Sequence, residues 1–289
     1  MQIYQNSIFK SRKKIKFNSF LIKYSKQELI SLMKRLMIQA LRRPATIISG
    51  IIQPLLWLIL FGGLFQNVPL NLFNINNRYG PFLSCGIIIF TSFTGALNSG
   101  LPLIFDREFG FLNRLLVTPL ISRNTIIVSA TLFIILITMM QNIFIISFSL
   151  KFFNFTLNTY QLILIILISL LITSSISSIS LGLAFIFPGH IEFLAFILII
   201  NLPMLFSSTA LAPFYFMPYW LQIIAKLNPL TYAIESIRFI TFAQNDYLNS
   251  NILSAYGLNL NVFNVIIFLL LITLISFNII KNMITNKLE

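Results

Sequence analysis

Residues able to do chemistry are scarce in this chain. Its 289 residues hold seven acids, one histidine (His190) and one cysteine (Cys85). The acids are Glu28, Asp106, Glu108, Glu192, Glu235, Asp246 and Glu289, scattered along the sequence. General acid–base catalysis needs titratable groups converging on one reacting atom, and no such constellation can be read here. A single cysteine excludes an intrachain disulfide and a CxxC metal site, so Cys85 is expected to pack as a small hydrophobe. His190, alone in the turn Pro188–His190, is a poor metal or catalytic candidate. No GxxxxGK[ST] motif occurs, so the chain has no P-loop of its own. The densest charge lies in DREFGFLNRLLVTPLISRN, Asp106–Asn124, with two acids and three arginines (Arg107, Arg114, Arg123). Its flanks, Pro81–Phe105 and Thr125–Leu150, are almost uncharged and long enough to cross a bilayer. A charged segment tied at both ends to such spans lies at the membrane surface, where a soluble partner can push on it.

The elements that position this segment follow from composition. Hydrophobic residues make up 57% of the chain and charged residues 9%, with a mean hydropathy of +0.88, which indicates a polytopic all-α membrane protein. The net charge of +13 invites a nucleic-acid reading, but position argues against it. Eleven of the 20 basic residues, from Lys10 to Arg43, precede the first span, as the positive-inside rule asks of a first cytoplasmic segment. Attraction to anionic lipid headgroups is compatible with this. The 30 phenylalanines against 11 glycines, with abundant Ile and Asn, suggest an AT-rich genome such as organelles have.

Two regions are expected: residues 1–45, a basic tail and an amphipathic connecting helix, and residues 46–284, a transmembrane domain. Met1–Lys23 lacks the apolar core of a secretory signal. Tyr24–Arg43 predicts a helix lying in the membrane interface, with Leu29, Met33, Leu36, Met37 and Ala40 on one side, until Pro44 redirects the chain. Six spans are expected, at about 46–67, 81–105, 125–150, 161–187, 191–211 and 261–280. In span two, Ala96/Gly100 and Gly95/Ser99 have the small-xxx-small spacing that permits close helix approach. In span four, Ser169, Thr173, Ser174, Ser177 and Ser178 either bond to helix carbonyls or line a wet path, with packing the favoured reading. Glu192 suits the positive end of the helix that follows the turn. Between spans five and six, Pro213–Phe239 reads as short helices dipping into the outer interface, with Asn228-Pro229 as a helix start and Glu235/Arg238 as an i,i+3 pair. An even number of spans puts both termini on one side, with sixteen cations there against four (Arg78, Lys151, Lys226, Arg238) on the other. This orients Asp106–Asn124 inward.

The basic helix before span one, the charged loop DREFGFLNRLLVTPLISR and the later motif LNPLTYAIESIR together resemble the membrane subunits of ABC type-2 exporters. The run RRPATIISGIIQPLLWLILFGGLFQN, Arg42–Asn67, looks closer still to permeases encoded in red-algal plastid genomes and their cyanobacterial relatives. The similarity covers roughly Tyr24 to Lys281. It implies a non-catalytic permease subunit that binds no cofactor itself and works with ATP held on a separate P-loop ATPase. It also implies a homodimer in a plastid membrane (inner envelope or thylakoid), with the N-terminus on the stromal or cytoplasmic side. The family's coupling helix maps to Asp106–Pro119, with Asp106, Arg107, Glu108, Phe109, Gly110, Arg114, Thr118 and Pro119 as contacts to the ATPase. The Pro188–His190 turn would be a second, smaller contact. Spans one, two and five would face the central path, which makes Gln53, Asn98 and Asn201 candidate lining residues. The outer re-entrant motif maps to Asn228, Pro229, Glu235 and Arg238. A secondary carrier or channel, and a membrane assembly scaffold, are the alternatives. The absence of a mid-span acid weighs against an ion-coupled carrier, and the sequence does not name the exported substrate.

Overall fold

A computed structural model describes residues 26–65, 79–118, 124–153, 156–242 and 261–288. The basic tail Met1–Lys23, the loop with Arg78, and Pro119, Arg123 and Asp246 lie outside the described residues. Regular structure among the described residues is entirely helical. Lipid offers no water to backbone N–H and C=O groups, and a helix satisfies them within one segment. The first helix, α1, spans 26–41 and lays Leu36, Met37 and Ala40 against Phe133 and Ile134 of a later helix. This is the apolar side expected of it; Ile38 points outward and is exposed. Pro44 then opens α2 (Pro44–Leu64) at its first turn, where its missing N–H has no partner to lose.

Span two departs from a single rod. The apolar stretch Tyr79–Glu108 is two helices, α3 (Tyr79–Leu97) and α4 (Gly100–Glu108). Pro102 supplies the cause, because it has no N–H for the Asn98 carbonyl and its ring crowds that carbonyl. Leu101 N–H donates to Asn98 O instead, three residues back, at 3.2 Å. The groups freed by the break are taken up by Ser180, whose Oγ donates to Leu97 O at 2.5 Å and accepts from Gly100 N–H at 3.1 Å. Gly100 itself sits so close to its neighbours that a Cβ would lie 2.8 Å from Ser180 O and 2.6 Å from the Phe193 ring. The small residues of span two thus close contacts within the chain.

After a short α5 (Phe111–Val117) come α6 (Asn124–Phe153), α7 (Thr159–Ile186) and α8 (His190–Phe206). The far end carries a 3₁₀ turn at Phe214–Phe216, then α9 (Tyr219–Leu227), α10 (Pro229–Phe242) and finally α11 (Val262–Leu288). Among the described residues, five helical stretches, α3 and α4 taken as one, are long and apolar enough to cross a membrane. The helix expected at Ile191–Leu211 ends earlier, at Phe206, because Ser207–Ala210 turn out of it. Its 17 residues reach about 25 Å at the helical rise, short of a hydrocarbon core of about 30 Å. The bundle is built on α3 and α4, whose most apolar window is 89% buried against 17% for α2. Phe82, Ile87, Ile89 and Phe93 of α3 meet Ile145 of α6 and Ile165, Ile168 and Ile172 of α7. Lipid is as apolar as these side chains, so close packing rather than water exclusion holds them together. The α7 hydroxyls follow the packing reading: Ser169, Thr173, Ser174, Ser177 and Ser178 each donate to carbonyls three or four residues back. Cys85 is free and buried.

Candidate functional site

The charged run of the sequence is split by the fold. Asp106, Arg107 and Glu108 form the last turn of α4, continuous with span two, and the separate short helix begins only at Phe111. Gly110 makes the corner with φ +70°, a left-handed conformation that side chains with a Cβ adopt at a cost. The expected coupling helix Asp106–Pro119 is therefore a helix end, a glycine corner and a seven-residue helix.

All three charges of that last turn are committed inside the chain. Asp106 pairs with Arg35 of α1, and the Arg35 guanidinium also lies over the Phe111 ring, 4.3 Å from its centre. Arg107 donates to Ala184 O at 2.9 Å, to Phe187 O, and to Pro188 O at 2.9 Å. These are carbonyls at the C-terminus of α7, which has no further helical donors and whose dipole favours a cation. Glu108 accepts from His190 N–H at 2.6 Å, and its other oxygen lies 2.5 Å from His190 Nδ1. It thereby covers the N-terminus of α8, where a carboxylate is favoured. Gly189 leaves room for this, since a Cβ there would approach Glu108 Oε1 to 3.0 Å and Glu192 Oε2 to 2.7 Å. One turn of α4 thus grips α1, α7 and α8 together.

Solvent-facing positions follow. Phe109 is 76% exposed and Val117 87%, and Arg114 and Thr118 are exposed beside them. The Thr118 hydroxyl donates to Leu115 O at 2.6 Å. Of the residues expected to meet a partner, Phe109, Arg114 and Thr118 are presented outward, joined by Val117, which is not among them, and Asp106, Arg107 and Glu108 are held by contacts within the chain.

The three expected path residues meet in one place. Gln53 of α2, Asn98 at the α3–α4 break and Asn201 of α8 line a cavity of about 370 Å³ closed by α1 and α6. Asn98 donates to Thr94 O at 3.0 Å, and Asn201 Oδ1 is buried without a hydrogen-bond partner among the described residues. Gln141 of α6 also lines the cavity, only 5% exposed and packed between Gly50 and Gly95.

At the far end, Asn228 caps α10 by accepting from Leu230 N–H at 3.0 Å and reaches Ser207 Oγ at 3.2 Å, with Pro229 in the first turn. Arg238 pairs with Glu235 as the spacing predicts, donates to Thr209 O at 2.9 Å and lies over Phe82, 3.5 Å from the ring centre. No cluster of metal-ligating side chains forms among the described residues.

Three participants escape a linear reading. Arg35 is one cation among many on a basic helix, and nothing local marks Asp106 as its partner. His190 is dismissed as a lone histidine although Glu108 awaits it 82 positions away. Gln141 did leave a signal, since Gln141-Asn142 interrupts an otherwise apolar span at its middle.

The ABC-2 type transporter family model matches residues 27–242. Proteins carrying the name transport permease ycf38 are similar nearly end to end. That of Porphyra purpurea is 54% identical over 265 residues, 91% of this chain and 90% of its own length. That of Pyropia yezoensis is 53% identical over 263 residues, with the same coverage. That of Cyanophora paradoxa is 49% identical over 256 residues, 88% of each chain. The matched region takes in the α4 turn, the cavity and the far-end helices, and the chain belongs to the ABC-2 type transporter family, as a membrane component of an ABC transporter.

Proposed function

We propose that this chain is the permease subunit of an ATP-driven exporter that couples to a separate ATPase through the corner Phe109–Thr118. The observation that carries the proposal is the division of labour in that stretch. Asp106, Arg107 and Glu108 tie the end of α4 to α1, α7 and α8, while Phe109, Arg114 and Val117 stand outside the bundle. A load taken by the exposed corner then reaches three other helices through charged contacts. ATP and its hydrolysis belong to the partner, and two copies of this chain complete the path along the face holding Gln53, Asn98 and Asn201. In this reading α8 crosses as a sixth span, aided by its short extension, and the α9–α10 pair sits in the outer interface. The N-terminus and Asp106–Val117 face the stroma. The names of the relatives favour a plastid membrane.

The test is purification of the tagged full-length chain in a mild detergent, with mass spectrometry of what accompanies it. A stoichiometric P-loop ATPase is expected, lost in Phe109→Ala/Val117→Asp, whose residues make no internal charged contact. Asp106→Lys/Glu108→Lys should weaken capture indirectly, by loosening the turn beneath the corner. Recovery of the chain without an ATPase in several mild detergents would sink the reading.

A further inference from the structure

The cavity between α1, α2, α4, α6 and α8 has a chemistry that the exporter reading does not explain. Its hydrogen-bonding lining is dominated by carboxamides: Gln39, Gln53, Asn98, Gln141 and Asn201. The hydroxyls beside them are already used, since Thr46, Ser49, Thr94 and Thr138 donate to carbonyls of their own helices. Two of the carboxamides are uncommitted among the described residues. Gln141, a residue 5% exposed, lines the cavity with no hydrogen bond to its amide among the described residues, and Asn201 Oδ1 is sealed from solvent without a donor among them. A polar group in that state costs free energy unless something satisfies it.

Charge narrows what that something is. Arg43 is the one charged side chain in the described lining, and no carboxylate joins it. Arg43 stands at the start of α2, and Gln53 lies ten residues further on, about 15 Å deeper at the helical rise. A cationic head would find no counter-charge anywhere in the cavity. An anionic head could meet Arg43 at the mouth but would be stranded among the amides, because an unpaired charge is costly away from water. Carboxamides offer both a donor and an acceptor, which suits hydroxyls. Between them the walls are apolar, with Leu36, Ile47, Leu101, Phe133 and Ile137, so a purely polar solute is excluded as well.

We propose that the cavity binds an uncharged amphiphile, a hydroxyl-bearing head on an apolar chain, and that Gln141 and Gln53 read the head. The transport meaning of this site rests on the exporter reading; the binding itself does not.

The experiment uses the full chain in phosphatidylcholine nanodiscs without any ATPase. Three photoactivatable dodecyl probes share one tail and differ in head: glucosyl, sulfate and trimethylammonium. The glucosyl probe should label peptides spanning Leu36–Pro54 and Phe133–Gln141 saturably, at a half-saturating concentration about tenfold below that of either charged probe, the loss of one good hydrogen bond or its equivalent. Gln141→Leu should erase most of that headgroup preference. Gln53→Leu, at an exposed position where the change leaves the packed core untouched, should reduce it even where the buried substitution fails to fold. Equal labelling by all three probes, preference for the sulfate, or an unchanged preference in Gln53→Leu would overturn the proposal. Selective labelling in a chain that captures no ATPase would retain this site and remove the exporter; ATPase capture with headgroup-blind labelling would do the reverse.

Discussion

Helix α8 is fastened at both ends by side chains from other helices, and the two fastenings differ in exposure. At its start Glu108 takes the His190 N–H and faces the imidazole, with 26% and 36% of the two side chains exposed. Past its end, Arg238 holds the Thr209 carbonyl while paired with Glu235, and these side chains are 8% and 16% exposed. Both solve the same problem, the unsatisfied backbone groups where a helix stops. The far-end pair is desolvated, stacked on Phe82 and local to one helix, so it can hardly rearrange without unfolding its surroundings. The near-end contacts are partly wet and join four elements, so their rearrangement costs little. The proposed coupling, a push on the corner Phe109–Thr118, has use for this asymmetry: a stiff far end, and a near end that can yield.

Breaking the buried pair tests the stiff end and has the largest expected effect. Arg238→Leu removes a buried guanidinium that serves Glu235, the Thr209 carbonyl and the Phe82 ring at once, which should cost about 3–5 kcal/mol, read as loss of the folded fraction in thermal gel filtration. The double change Arg238→Leu/Glu235→Leu should recover much of it. A single variant as stable as the native chain would remove the contrast between the ends. At the near end, Gly110→Ala forces a Cβ into the left-handed corner although nothing lies within 4 Å of it. The expected cost is about 1–2 kcal/mol, and Gly110→Asn should lose less, since asparagine tolerates that conformation better. ATPase capture should suffer more than thermal stability, because the strain re-aims α5 without opening the core. The smallest stability effect belongs to Arg35→Met, which removes the pair with Asp106, 28% and 17% exposed. A loss of at most about 1 kcal/mol is expected, shrinking further at high salt. A loss as large as that of Arg238→Leu would mean that the near end is as rigid as the far one.

Much of this architecture was legible in the sequence wherever the cause is local. Pro44 and the apolar side of α1 place the connecting helix, the Asn228-Pro229 pair starts α10, and Glu235 and Arg238 meet because one helical turn separates them. The break in span two was also written there, in Pro102, although the apolar run reads as one uninterrupted span. The exact end of α8 was not legible, since Ser207–Ala210 are compatible with either helix or turn until α10 packs against them.

What the sequence by itself determined is the class of molecule: apolar runs of bilayer length, cations concentrated before the first span, and a charged segment held at the surface. Lipid enforces helices on any such chain, because no other single segment satisfies its own backbone. What only the tertiary structure decided is which charges meet and which carboxamides share a cavity. Asp106 finds Arg35, Glu108 finds His190, and Gln53, Asn98, Gln141 and Asn201 converge from three helices and the α3–α4 break. These pairings span long separations, and α2, α6 and α8 are apolar nearly all round, so they carry no stripe to say which face turns inward. In lipid that choice falls to close packing, and packing is a property of the assembled bundle.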